Sequence, residues 1–134
     1  MYYIRLITII SFVFVLFACE STLNRDKEAL WVDIPYSINR GLLDSCSILS
    51  FVTQQNQYDL VNCVTKIGLN DNYIIVESYD KKDSTQYWII NKSIQGIEKI
   101  KKKENVEGPM DLEKFTNRKR ILNISNLEFT KDVN

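Results

Sequence analysis

An α+β fold is expected from three features of this chain. Apolar, β-branched and aromatic runs between residues 60 and 90 are separated by Asn and Asp clusters, as in an antiparallel meander. A capped stretch with apolar residues at helical spacing follows near residue 112. Gly and Pro number only 4 and 2 in 134 residues, which points to a folded chain rather than a linker. The expected architecture is a small antiparallel sheet of about four to five strands with a C-terminal helix packed on one face.

Taken in order, Ala29-Leu30-Trp31-Val32 begins the apolar content of the domain, and Pro35 and the turn signal Asn39-Arg40-Gly41 break the segment after it. Residues 45–53 have strand composition, and 54–57 read as a polar turn. Residues 60–69 form the next strand, and Asn70-Asp71-Asn72 marks a tight turn. A strand from Tyr73 to about Tyr79, a turn at 80–83 and a strand at 86–90 complete the meander. Tyr73-Ile74-Ile75-Val76 and Tyr87-Trp88-Ile89-Ile90 are apolar on both faces, so these strands need cover on each side. Residues 93–103 are ambiguous: Ile94, Ile97 and Ile100 fit a helix face, and Gly96 weakens it.

The cover is expected from the C-terminal third. Asp111 is a good N-cap, and Leu112, Phe115, Lys119 and Leu122 share one side of a helix over 112–122. Ile124, Leu127 and Phe129 are expected to dock after it as a short extended segment.

The N-terminus carries a different signal. Arg5 is the only charged side chain before Cys19, and residues 6–18 are apolar except for Thr8 and Ser11. This run is shorter than the roughly 20 apolar residues a spanning helix requires. It has the proportions of a signal peptide, and Leu16-Phe17-Ala18-Cys19 resembles a lipobox. Ala18 is the small residue beside the cut and Leu16 the aliphatic residue before it, whereas Phe17 is bulkier than usual. The expected organisation is a lipoprotein signal peptide over 1–18, a lipidated cysteine and tether over 19–29, and one globular domain over 30–134. The expected location is the cell envelope, lipid-anchored through Cys19. That means the outer membrane of a Gram-negative cell, or otherwise the outer face of the cell membrane. Two or three acyl chains anchor stably, whereas one binds only marginally.

Composition excludes several chemistries. Lys plus Arg and Asp plus Glu both number 17, so no global field attracts nucleic acid. The chain has no histidine, which removes Ser-His-Asp and Cys-His catalysis and imidazole metal sites. No cofactor and no metal ligand set is expected.

Cys46 and Cys63 remain after Cys19, and an even number in an exported domain invites a disulfide reading. If 45–53 and 60–68 pair around a turn near Asn56, Cys63 falls three residues out of register with Cys46, on the other face. At ~3.3 Å per residue that offset is about 10 Å, past the ~7 Å Cα limit for a bridge. Buried free thiols are therefore the expected state, with the bridge as the alternative.

Other candidates read blandly. Lys99, Lys101, Lys102 and Lys103 form a solvated run rather than a contact for lipid headgroups. Asn70-Asp71-Asn72, Asp80 and Asp83 serve turns rather than calcium, since their spacing is not that of an EF-hand. Glu77, Asp80, Asp83 and Glu98 offer no fixed pair for glycosidase-type chemistry. Trp31, Tyr79, Tyr87 and Trp88 fill a core or form an aromatic platform for sugar or peptide. Asp83-Ser84-Thr85 resembles an O-glycosylation signal of exported bacterial proteins.

The ordered series Tyr73-Ile74-Ile75-Val76, Tyr87-Trp88-Ile89-Ile90-Asn91-Lys92, Gly108-Pro109, Phe115 and Leu122-Asn123-Ile124 resembles a small bacterial lipoprotein family whose domain has no assigned function. The resemblance covers residues 60–129 and implies a small sheet with a C-terminal helix on a lipidated tether; it transfers no catalytic or binding residues. The expected role is a non-catalytic envelope module that binds a protein partner. An immunity-type or inhibitor lipoprotein and a carboxylate-dependent hydrolase are the alternatives.

Overall fold

A computed structural model describes residues 29–41 and 46–133, through which nine strands run in two antiparallel sheets. The first sheet has the order β1 (Trp31–Asp33), β2 (Tyr36–Arg40), β3 (Ser47–Val52), β4 (Gln57–Val61). The second has β8 (Val106–Met110), β7 (Thr85–Asn91), β6 (Tyr73–Tyr79), β5 (Val64–Leu69) and β9 (Lys131–Asp132) in that order across it. Among the described residues two helices, α1 (Ile97–Lys101) and α2 (Leu112–Ile121), complete the elements. The described residues are mostly β, and the single meander of the sequence reading corresponds to the second sheet.

Two-sided burial of β6 and β7 organises the molecule. Ile74, Val76 and Ile90 face Ile38 and Leu49 of the first sheet in one core cluster. Ile75 and Ile89 point the other way, into a second cluster with Phe115, Ile124 and Leu127. Phe115 stacks on Tyr87 at 4.9 Å between ring centroids and lies 6.1 Å from Phe129. The Asp111 carboxylate accepts from the Lys114 N–H at 2.8 Å, capping α2. Leu112 departs from expectation: it is 59% exposed, and only Phe115 of the helix is buried.

Three boundaries differ from the sequence reading. Asn39 and Arg40 belong to β2, and the chain instead turns at Ile34-Pro35. The run 60–69 is not one strand. It breaks at Asn62-Cys63, where Cys63 takes a left-handed φ of 53°, and its two halves join different sheets. Gly108-Pro109 lies in edge strand β8, a strand absent from the sequence reading; an edge tolerates the missing proline N–H.

The C-terminal segment is held against β5 by a close approach at Gly68, where a Cβ would stand 2.0 Å from the Glu128 carbonyl oxygen. Between the sheets, Tyr36 packs edge-on to Phe51 at 5.4 Å. The Asn105 amide is buried with no hydrogen-bond partner among the described residues. Burial pushes the Tyr36 phenol above its ordinary value; the neighbouring Asn105 side chain opposes this, and the Asp33 carboxylate adds to it.

An acid with a raised folded-state pKa stabilises the fold fully below its unfolded value of about 10, and that contribution is lost as pH climbs through the folded value. Stability measured by urea unfolding should therefore fall as pH is raised from 9 to 11, and Tyr36→Phe should lose less than the parent. Lys66 and Lys101, raised by hydrogen bonds to Glu77 and Glu98, titrate alike in both chains and cancel in the difference.

Candidate functional site

The two sheets part at one end and leave a cleft of about 1000 Å³. Its walls come from the ends of β2, β3 and β4 on one side and from the β6–β7 hairpin on the other. Volumes of roughly 300–1,000 Å³ are typical of small-ligand sites. The floor is apolar, with Ile48, Leu60 and Val61, and Tyr79 and Trp88 stand on the second sheet's side. Asn62, Asp80, Lys81, Asp83 and Lys103 supply polar and charged groups of both signs.

Local chemistry fixes each wall. Trp88 donates its indole N–H to Ser78 Oγ at 2.8 Å, a cross-strand bond that holds the ring's orientation. The ring is backed by Gly108, whose φ is 138° and where a Cβ would lie 2.7 Å from Trp88 Cε3. Glycine is needed there for conformation and for space alike. Lys103 donates from Nζ to the Leu60 carbonyl at 3.2 Å, tying the segment after α1 to the first sheet. Asp80 Oδ1 accepts from the N–H groups of Lys82 and Ser84, at 2.8 and 3.0 Å, and so shapes the hairpin. Cys63, Asp83 and Lys103, all lining the cleft, hold left-handed φ values of 53°, 57° and 55°. Such non-glycine conformations are uncommon and collect at functional sites.

Cys46 and Cys63 form a disulfide in the cleft wall, with Cα atoms 4.4 Å apart. This corrects the free-thiol expectation. The register assumed there was wrong: Leu49 pairs with Val61, so both cysteines lie just beyond the hairpin's paired residues. The chain turns at Cys63 itself, which brings its sulfur back to Cys46. The Tyr79 hydroxyl of the second sheet lies 3.4 Å from Cys46 Sγ.

The remaining candidates disperse. Of the four aromatic residues, only Tyr79 and Trp88 meet in the cleft. Tyr87, one residue from Trp88 and therefore on the opposite face, stacks under Phe115, and Trp31 packs against the main core. The four carboxylates do not converge. Glu77 pairs with Lys66 at 3.2 Å and Glu98 with Lys101 at 2.8 Å, leaving Asp80 and Asp83 at the cleft. Asn70 Oδ1 accepts from the N–H groups of Asn72 and Tyr73, which is turn chemistry at the opposite end of β6. Among the described residues no group of three or more His, Cys, Asp or Glu side chains is arranged to hold a metal. Ser84 and Thr85 are exposed on their hairpin. Lys103 was read from sequence only as part of a solvated lysine run and Ser78 was not singled out, because their roles arise from contacts across 43 and 10 residues. Leu16, Phe17, Ala18 and Cys19 lie outside the described residues.

Residues 36–134 match the model of a family described as protein of unknown function (DUF3997). The chain belongs to this family. No curated protein and no solved structure matches it. The DUF3997 match includes the cleft residues, from Gly41 to Lys103, and begins after β1.

The bridge closes a loop across a sequence separation of 17 residues, for which the chain-entropy relation gives ~3 kcal/mol. Reduction should lower the urea midpoint accordingly, and thiol labelling of the native domain should leave Cys46 and Cys63 unmodified until reductant is added.

Proposed function

We propose that this DUF3997 protein is a lipid-anchored envelope protein that acts by binding, without catalysis of its own, and that the disulfide-walled cleft is its binding site. The observation that carries the reading is the cleft itself. A fixed indole, a phenol and a bridged cysteine pair surround an apolar floor, with side chains of both charges at its margin. An apolar concavity with a few convergent polar groups is the usual form of a binding site. The anchor supports the reading by confining the domain near a membrane, where tethering raises its effective concentration for envelope partners.

Two measurements test the two halves separately. Radiolabelled palmitate should enter the wild-type chain in cells and should not enter Cys19→Ala; equal labelling, or none in either, removes the anchor. Cross-linking and detergent co-purification should return a specific envelope protein with the wild type, and Asn62→Arg with Lys81→Glu should lose it. Both positions are exposed at the cleft, so the fold should survive. Recovery of the same abundant bystanders with both chains would count against the binding role. A toxin or lytic enzyme in the captured set would instead identify the protein as an immunity-type inhibitor.

A further inference from the structure

The cleft combines groups that narrow what it can hold. Gln86 and Trp88, two residues apart on β7, share the face turned toward the first sheet. Gln86 stands across from Ser78, whose hydroxyl accepts the indole N–H, so the carboxamide and the ring are set side by side. With its N–H committed, the indole offers an occupant only its apolar surface. Asn62, exposed where the chain crosses from β4 to β5, brings a second carboxamide to the facing wall. Among the described residues neither carboxamide is hydrogen-bonded to another side chain or to the backbone.

Three classes of occupant fit poorly. Two lysines and two aspartates line the cleft, so no net charge draws an ionic ligand. Asp80 is also committed to the Lys82 and Ser84 N–H groups, and Lys103 to the Leu60 carbonyl. An extended peptide is held chiefly by unpaired main-chain groups of a strand edge. Here the walls have spent theirs: the Gly41 N–H donates to the Cys46 carbonyl at 2.8 Å, the Tyr79 N–H to the Cys63 carbonyl at 3.2 Å, and the Asp80 N–H to the Ser84 carbonyl at 3.1 Å. Edge strand β4 reaches the cleft with its Leu60 carbonyl taken by Lys103. An acyl chain would suit the floor of Ile48, Leu60 and Val61, but both carboxamides would lose water without gaining a partner. What remains is a neutral ligand with an apolar face and a hydroxylated edge, read by side chains. A pyranose ring is divided in this way, with C–H bonds on its faces and hydroxyls around its rim. A carboxamide donates and accepts in one plane, and each hydroxyl does both, so the two match.

We propose that the cleft binds a neutral glycan, with one sugar ring laid against Trp88 and the apolar floor and its hydroxyls on Gln86 and Asn62. The proposal names the ligand class of the binding role above and rests on the cleft being the binding site. Hydroxyls are well hydrated, so a sugar gains little per contact and is held only where the protein's groups are fixed beforehand. The Cys46–Cys63 bridge, the Trp88–Ser78 bond and Gly108 behind the indole fix them here. The same chemistry is offered by N-acetylglucosamine chains and by hexose chains of the envelope.

Nuclear magnetic resonance of the isotope-labelled chain, purified from cells in a sugar-free detergent and titrated with chitotriose, cellotriose and maltotriose in turn, tests the assignment. At least one trisaccharide should shift the Trp88 indole N–H and the Gln86 and Asn62 carboxamide signals together and leave the Trp31 indole in place. A response to chitotriose alone assigns N-acetylglucosamine chains; a response to either hexose trimer assigns hexose chains. Gln86→Leu, close in size, and Asn62→Ala, at an exposed position, should each weaken binding by about tenfold while the spectrum stays that of the folded chain. Absence of a shift with all three sugars overturns the proposal, and so does binding of unchanged strength in both variants. If the sugars fail and the envelope protein captured by cross-linking moves the same signals, the occupant is a polypeptide and the binding role of the cleft stands. If neither moves them, the glycan and the binding role fall together.

Discussion

The structure depends on burying both faces of β6 and β7. Neighbouring residues serve different cores: Ile74 and Val76 face the first sheet, while Ile75 faces the layer that contains Phe115 and Leu127. Full burial of each such side chain is worth roughly 1.5–3 kcal/mol, so neither cover can be lost without exposing a row of isoleucine and valine. Two-sided burial also weakens the usual guard on register. In a half-buried strand a one-residue slip drives apolar residues into water, but here it would exchange one apolar face for another. Register must then be set by other means. The Asn70 and Asp80 side chains close the turns at either end of β6, the Trp88–Ser78 bond pins β7 to β6, and Gly68 admits the Glu128 carbonyl at one position only.

Elements governed by local rules were legible in the sequence. The turns at 70–72 and 80–83, the strands that flank them, and the Asp111 cap are each specified by residues within a few positions of one another. The first sheet was not legible as a sheet. Residues 60–69 read as one strand because nothing in their composition marks a break; the break is a left-handed residue that is neither glycine nor asparagine. That misreading merged two sheets into one, and a separate misplacement of the β3–β4 register, whose observed pairs include Val52–Gln57 and Leu49–Val61, produced the free-thiol expectation. β8 was hidden by Gly108-Pro109, which argues for a loop unless the strand is known to lie at an edge. Leu112 followed the helical period and is nevertheless exposed, because the α2 contact is narrow and Phe115 fills it.

The candidate site was partly visible for the same reason. Tyr79, Trp88, Cys46 and Cys63 stood out by type, but only the parting of two sheets makes them neighbours, and no local pattern encodes that. The alternation of Tyr87 and Trp88 decided which aromatic goes to the core and which to the cleft. The supports of the cleft are long-range: a bridge from β3 to the β4–β5 crossing, a lysine on a distant carbonyl, and a glycine behind the indole. Left-handed backbone at Cys63, Asp83 and Lys103 costs of order 1 kcal/mol each, and such conformations persist where the surroundings over-determine them.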